Sequence, residues 1–340
     1  MPLEFPIHAE PPLLDVRDLT IQFGDTIAVR GLDFTIRRGE TLALVGESGC
    51  GKSATALSLM RLLPPAGRVR ASAIQFDGQD ISRLSDAALR RLRGGAISMI
   101  FQEPMTSLNP VLSIGRQITE AIHAHERLSR RTARNRAIEL LDLVRIPNAR
   151  RIVDEYPHNL SGGMRQRVMI AIAVACQPRL LIADEPTTAL DVTIQAQVLE
   201  LLDHLRRDLS MGLLLITHDL GLVSDWADRV VVMYAGRKCE EGRVDQLFRA
   251  PLHPYTRGLI ACSPKIDTGL HFRDARLPEI AGNIASAAGV SGCPFAPRCG
   301  SAVDRCWSER PDARMTGQPD HILACPVHPP AEVAHAFAIG

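Results

Sequence analysis

The 340-residue sequence lacks a large net charge, a long apolar run and a recognisable secretory leader, and each absence argues against a class of protein. Its 39 Lys and Arg are offset by 38 Asp and Glu, leaving +1 at pH 7. Proteins that grip nucleic acid by its phosphates carry a basic excess, so no nucleic-acid partner is expected. No apolar stretch approaches the roughly 18–20 residues that span a bilayer; the longest near the middle of the chain is Val168 to Cys176. The N-terminus, Met-Pro-Leu-Glu-Phe-Pro-Ile-His, has neither a charged start nor an apolar core and does not read as a signal peptide. There is no internal repeat and no heptad array. With 46% hydrophobic residues the chain has material for a globular core. These counts point to a soluble, intracellular protein of about two domains. One count sits apart. Of eight cysteines, four fall in the last 48 residues, which inside a cell suggests metal or redox chemistry rather than disulfides.

The patterning is α/β. Leu19–Phe23, Leu32–Ile36 and Leu42–Val45 read as short strands broken by Gly24-Asp25 and Arg38-Gly39. A helix is expected from Lys52 to about Leu63, where Pro64-Pro65 cannot continue it. Further strands are expected at Ala73–Phe76 and Ala96–Gln102. Between Val111 and Tyr156, Ile114, Ile118, Ile122, Ile138 and Leu141 recur at helical spacing, which predicts an inserted helical subdomain. The basic stretch Arg127 to Arg136 within it reads as a solvated helix face, with phosphate or partner binding as the alternative. Leu180–Ala183, Leu213–Ile216 and Val230–Met233 are near-continuous apolar runs, as in parallel strands covered on both faces. A helix over Val192–Leu209 separates two of them. Beyond about Ser263 the periodicity fades into Pro, Gly and Cys.

Two elements carry recognisable chemistry. Gly46-Glu47-Ser48-Gly49-Cys50-Gly51-Lys52-Ser53 fits G-x-x-x-x-G-K-[ST] between a strand and a helix. Glycines let the backbone close around phosphate oxygens, and the helix start adds partial positive charge. Lys52 supplies a cation for the β and γ phosphates of ATP, and the Ser53 hydroxyl can join the shell of Mg²⁺. Cys50 reads as a small filler at a variable position, with redox control as the alternative. The second element is Asp184-Glu185 at the end of an apolar strand. A buried Asp there is costly unless paired or near a metal, so Asp184 is a Mg²⁺ candidate. Glu185 is then placed to take a proton from the attacking water.

Leu160-Ser161-Gly162-Gly163-Met164-Arg165-Gln166-Arg167 narrows the field. It resembles the LSGGQ signature of ABC-type ATPases, with Met164 for the usual Gln, 20 residues before Asp184. The resemblance, from Leu13 to about Gly242, implies two ATPs sandwiched between two subunits. Each would lie between one phosphate loop and the partner's signature, Ser161 and Gly163 here. It further implies that Gln102 is the Q-loop glutamine, sensing Mg²⁺ and the water, and that Ala189-Leu190-Asp191 is the D-loop joining the two sites. His218 matches the switch histidine on the γ phosphate, neutral or charged. Phe23 stands where the family stacks an aromatic on adenine; a core Phe would look identical. Asp219 and Thr188 read as local caps.

Phe101-Gln-Glu-Pro-Met-Thr-Ser-Leu-Asn-Pro110 and Pro251-Leu-His-Pro-Tyr-Thr-Arg-Gly258 look like the ATP-binding subunits of oligopeptide and dipeptide importers. The nickel-importer branch shares both. By residue type alone, the first segment is a proline-stiffened surface loop or a socket for a permease helix. The resemblance implies two membrane permeases, an extracytoplasmic solute-binding protein, and a second ATPase that is either a related chain or another copy. It places the protein at the cytoplasmic face of the inner membrane. The rival class, soluble ABC ATPases of repair or translation, carries long coiled-coil insertions or tandem cassettes, and neither is present.

The implied fold is a P-loop NTPase of ABC type, an α/β fold with a mixed sheet core, an inserted α-helical subdomain and a small loop-rich extension. The expected bounds are 1–263 for the nucleotide domain, with helices at about 111–176, then 264–328 for the extension and 329–340 for a tail. Cys293, Cys299, Cys306 and Cys325 are spaced C-x5-C-x6-C-x18-C among Pro294, Pro297 and Pro326. Four thiolates suit a 4Fe-4S cluster or zinc, and free or oxidised thiols are the third possibility. Cys293-Pro-Phe-Ala-Pro-Arg-Cys299 looks like the C-terminal extension of the peptide-importer ATPases, where a four-cysteine centre occurs and some members hold a 4Fe-4S cluster. His321 and His328 nearby are expected at the surface.

Overall fold

In the computed structural model, residues 11–102, 107–188, 190–262 and 279–327 are described. Residues 103–106 of the proline-flanked loop, Ala189 of the expected D-loop, the boundary at 263/264, His328 and the tail lie outside them, as do residues 1–10.

Alternating apolar residues build the first layer. β1 (Leu14–Phe23) and β2 (Thr26–Ile36) form an antiparallel ribbon bent by register shifts, longer at both strands than expected. β3 (Thr41–Val45) leaves for the second sheet, and α1 (Lys52–Leu59) follows the phosphate loop. This helix ends before the expected Leu63. Arg61 turns left-handed at φ 48, the Leu62 N–H donates to Leu57 and the Arg61 N–H to Ser58, a Schellman closure. β4 (Gly67–Arg70), β5 (Ala73–Phe76) and β6 (Gln79–Asp80) complete a five-stranded sheet around β1.

After α2 (Asp86–Leu92) and β7 (Ile97–Ile100) come the inserted helices. They are α3 (Ile114–His123), α4 (Arg130–Leu143), the short α5 (Ala149–Ile152) and α6 (Gly162–Val174). The basic stretch is the solvated start of α4: Ser129 caps it, and Arg130, Arg131 and Arg134 are exposed. The chain then alternates β8 (Leu180–Asp184), α7 (Val192–Leu209), β9 (Gly212–Thr217), α8 (Leu220–Trp226) and β10 (Arg229–Tyr234). β11 (Arg237–Arg243), α9 (Val244–Arg249) and α10 (Pro254–Cys262) close this part. The C-terminal residues add α11 (Arg305–Ser308), β12 (Arg314–Met315) and β13 (Ile322–Leu323). The second sheet runs β12-β13-β11-β10-β3-β9-β8-β7, with β10, β3, β9, β8 and β7 parallel.

The period of two explains why the apolar runs are continuous. Leu180, Ile182, Leu214 and Ile216 pack between the two sheets, while Leu181, Ala183, Leu213 and Leu215 pack against the helices. On the other flank Leu42 and Leu44 face the first sheet, and Ala43 and Val45 face the C-terminal side. No described helix is long and apolar enough to cross a membrane.

The expectation that His321 lies at the surface is wrong. It is 0% exposed, with Nε2 at 2.9 Å from Oε1 of Glu240, itself 0% exposed. β13 pairs with β11, which carries residue 321 against Glu240. The same carboxylate accepts the Leu252 and His253 N–H groups at 2.8 and 3.1 Å. Burial pushes its pKa up, but His321, the Thr256 hydroxyl and those two N–H groups together outweigh this and hold it below its ordinary 4.5. Its stabilisation is therefore present above the unfolded value and lost as pH falls through the lower folded one. Glu240→Ala, which strands the imidazole and both N–H groups, should cost about 3–5 kcal/mol in denaturant unfolding at neutral pH. A wild-type midpoint would show the pair to be inert.

Candidate functional site

Four strand ends meet at one edge of the parallel sheet. Val45 of β3 is level with Thr217 of β9, Ile216 with Asp184 of β8, and Ala183 with Ile100 of β7. The next residues along each strand are Gly46, His218, Glu185 and, after Phe101, Gln102. Register alone thus brings together groups from four separate parts of the chain.

The loop after β3 wraps its own lysine. Lys52 is buried, and its Nζ donates to the carbonyls of Gly46 at 2.7 Å and Glu47 at 3.0 Å. Gly51 adopts φ +102, and a Cβ there would lie 2.7 Å from both the Ala28 carbonyl and Val29 Cγ2. A Cβ at Gly46 would strike the Met233 carbonyl. Only glycine lets the backbone pass this close at both positions. Ser48 and Gly49 lie exposed at the rim, where a phosphate can reach them. Cys50 is fully buried, and burial pushes its thiol up despite Lys52. Burial and a raised pKa both disfavour a reactive thiolate, and Cys50 packs as a small side chain of the core between the sheets.

Ser53 Oγ donates to Asp184 Oδ1 at 3.0 Å. Burial holds the Asp184 carboxyl above its ordinary range, the Ser53 bond and Lys52 only partly opposing it and Glu185 adding to it. A desolvated carboxylate beside a serine hydroxyl is a hard oxygen donor set, and it fits Mg²⁺.

Glu185 is gripped from three sides. Gln102 Nε2 and Thr188 Oγ1 each donate to Oε2 at 2.9 Å, and His218 Nδ1 lies 3.3 Å from Oε1. Burial pushes its carboxyl up, but the bonds to Thr188 and His218 and the charges of His218 and Lys52 bring it below the ordinary value. Its backbone is left-handed at φ 46, an unusual state for a carboxylate-bearing residue, pinned by its N–H bond to the Ile216 carbonyl at 2.9 Å. Thr188, expected to be a local cap, is therefore one of its ligands. Asp219 does act as a cap, accepting the Gly221 N–H at 2.8 Å.

The other expected site residues lie apart from this cluster. Ser161 caps α6 by accepting the Met164 N–H at 3.3 Å, and Gly163 packs against Ile194 at the start of α7. Asp191 caps α7 by accepting the Ile194 N–H at 3.0 Å. The signature helix and the helix after the D-loop thus begin side by side. Phe23 is half-buried at the end of β1, against the core between the sheets. Cys293, Cys306 and Cys325 are buried, Cys299 is half-buried, and all four are free thiols. Burial raises the Cys293 thiol to about 11, and its neighbours Cys325, Cys306 and Cys299 add to the rise. Among the described residues, no group of three or more His, Cys, Asp or Glu is placed to hold a metal ion.

The ABC transporter family model matches residues 29–188, and that of the oligopeptide/dipeptide transporter C-terminal region matches residues 239–306. A putative peptide import ATP-binding protein of Brucella abortus is 52% identical over 326 residues, covering 94% of this chain and 96% of the relative. The oligopeptide transport ATP-binding protein AppD of Bacillus subtilis is 54% identical over 300 residues, covering 88% and 90%. This chain is an ABC transporter ATP-binding protein.

Solved ABC proteins share its fold. The cbiO1 subunit of Clostridium perfringens, part of the cbiONQ complex, superposes with a TM-score of 0.61 at 28% identity, over 71% of this chain and 92% of that one. A dimeric ATP-binding cassette in a post-hydrolysis state, bound to ADP and Pi, gives 0.59 at 26%, over 68% and 98%.

Sequence reasoning missed Glu47 as anything beyond a variable loop position. In this ABC protein its N–H donates to the Tyr255 hydroxyl at 2.9 Å, and its carboxylate pairs with Arg298. The one available signal was a lone Arg between two cysteines in a proline-stiffened loop.

Proposed function

We propose that the chain is the ATP-hydrolysing subunit of a peptide importer. The observation that carries this is the convergence of Lys52, Ser53, Asp184, Glu185, Gln102 and His218 at one sheet edge, in a chain whose C-terminal part matches the oligopeptide/dipeptide transporter region. The peptide specificity rests on the relatives' names and that C-terminal match.

The roles follow from the chemistry of each group. The glycine loop and Lys52 bind the phosphates, with the Lys52 ammonium moving from loop carbonyls to phosphate oxygens. Ser53 and Asp184 would hold Mg²⁺, with Gln102 beside them, and a bound ion would supply charge neutralisation at the β and γ phosphates. Glu185, ionised at neutral pH, accepts the proton of the attacking water, while Thr188 and Gln102 fix its orientation. His218, 62% exposed at its side chain, is free to turn from Glu185 toward a γ phosphate. Phe23 lies at the end of β1 to meet the adenine. Ser161, Gly163 and Asp191 serve the nucleotide held by a partner cassette, either a related subunit or a second copy.

Coupling to transport takes place at the cytoplasmic face of the inner membrane, with two permease subunits as partners and an extracytoplasmic protein delivering the peptide. The nucleotide domain occupies 1–263 with its helical subdomain at about 111–176, and the extension is 264–328.

Glu185→Gln keeps the shape of the site and removes the base. Steady phosphate release should fall at least about a hundredfold while Mg-ATP affinity stays near wild type. Turnover at the wild-type rate would sink the general-base assignment.

The four terminal cysteines are proposed to share one 4Fe-4S centre, with zinc as the alternative metal. What supports it is the burial of Cys293, Cys306 and Cys325 within one small proline-rich module, and the match of the first three cysteines to the oligopeptide/dipeptide transporter C-terminal region. Anaerobically purified protein should contain about four iron and four sulfide per chain. Colourless protein without either would remove the cluster.

A further inference from the structure

The C-terminal extension reaches the phosphate-binding loop through one side chain. Arg298 sits in the turn Ala296–Arg298, directly before Cys299, and its side chain is 3% exposed. Its Nη1 and Nη2 donate to the two carboxylate oxygens of Glu47 at 2.8 and 2.9 Å. Nη1 also donates to the Tyr234 hydroxyl at 3.3 Å, Nη2 to the Ile280 carbonyl at 3.0 Å, and Nε to the Ala281 carbonyl at 2.7 Å. All five guanidinium donors are used, a density of bonds that surface ion pairs do not reach. The guanidinium also lies over the Tyr234 and Phe295 rings, 5.6 and 6.0 Å from their centroids.

Glu47 is the second residue of the phosphate loop, and each of its polar groups has a distinct partner. The carboxylate takes Arg298, the N–H takes the Tyr255 hydroxyl, and the carbonyl receives Lys52 Nζ at 3.0 Å. The Tyr234, Tyr255 and Phe295 rings pack edge-on or tilted against one another at 4.8 to 5.2 Å and form the rigid backing of this linkage. A continuous path of bonds thus runs from the loop of Cys293 and Cys299 to the lysine that meets the phosphates.

We propose that Arg298 is a positioning residue for nucleotide binding: from the C-terminal extension it fixes Glu47 and thereby sets the affinity of the phosphate loop. The bidentate bond removes the freedom of a residue whose carbonyl Lys52 must leave when phosphate arrives. A loop already held in shape binds without being ordered first. The extension is then a determinant of nucleotide affinity as well as an appendage of the cassette. This inference rests on the nucleotide-binding assignment above.

The test uses the full chain and reads Mg-ATP affinity, the KM and kcat of hydrolysis, and the melting midpoint. Arg298→Ala should raise the Kd and KM for Mg-ATP about tenfold with kcat within about twofold of wild type. Arg298→Lys, which keeps the charge but not the fork, should recover part of that loss. Glu47→Gln should weaken binding similarly, and the double variant should bind no worse than Arg298→Ala alone, since both remove one contact. A folded Arg298→Ala protein with wild-type affinity, or a double variant in which the two losses add, overturns the proposal. So does a lowered melting midpoint with unchanged Kd, which would make the pair a staple only. If Arg298→Ala does not fold, Arg298→Lys and Glu47→Gln decide, and wild-type affinity in both overturns it. Failure of the wild-type chain itself to bind Mg-ATP would instead remove the nucleotide assignment, and this inference with it.

Discussion

The register of the parallel strands is the constraint on which the rest depends. β3, β9, β8 and β7 are hydrogen-bonded so that their C-terminal ends finish level. Each end then releases one polar element into the same space. A slip of one residue in β8 would turn Asp184 from the Ser53 hydroxyl to the opposite face. The apolar residues on both faces of these strands hold the register, because a slip would also exchange the residues packed between the sheets with those packed under the helices. The core specifies the site.

The polar groups at this edge hold one another in a state poised for ligand. Lys52 rests on loop carbonyls, Ser53 on Asp184, and Gln102, Thr188 and His218 on Glu185. Each of these bonds has a natural replacement in a bound nucleotide, its cation or its attacking water. The opposite shifts of the two adjacent carboxylates fit a division of labour. Asp184 is raised by burial and Glu185 is lowered by its donors, in keeping with the proposed roles of metal ligand and proton acceptor. Behind the loop, Tyr255 and Arg298, both within the residues that match the oligopeptide/dipeptide transporter C-terminal region, supply a second support by holding Glu47.

Much of this was legible in the sequence, for local reasons. The phosphate loop, the signature and the apolar strands announce themselves within eight or so residues, and the period of two within Leu180–Ala183 and Val230–Met233 already told of two covered faces. α7 ran as its pattern predicted, Val192–Leu209. The misses are long-range. His321 looked like a surface histidine because its partner lies 81 residues earlier, and Arg298 is 251 residues from Glu47. The early end of α1 turned on a left-handed arginine, a conformation that residue type does not advertise. Pairings between distant buried charges leave no periodic trace, so only the fold reveals them.

The measurement that bears most directly on the central claim is peptide uptake into liposomes carrying this chain in its complex with the permeases and partner cassette, with the peptide-delivering protein outside and ATP trapped inside with the cassettes. Uptake that begins only with internal Mg-ATP and stops in Lys52→Ala, together with loss of phosphate release, is the predicted result. Uptake that proceeds unchanged in Lys52→Ala, or without ATP, would contradict the account.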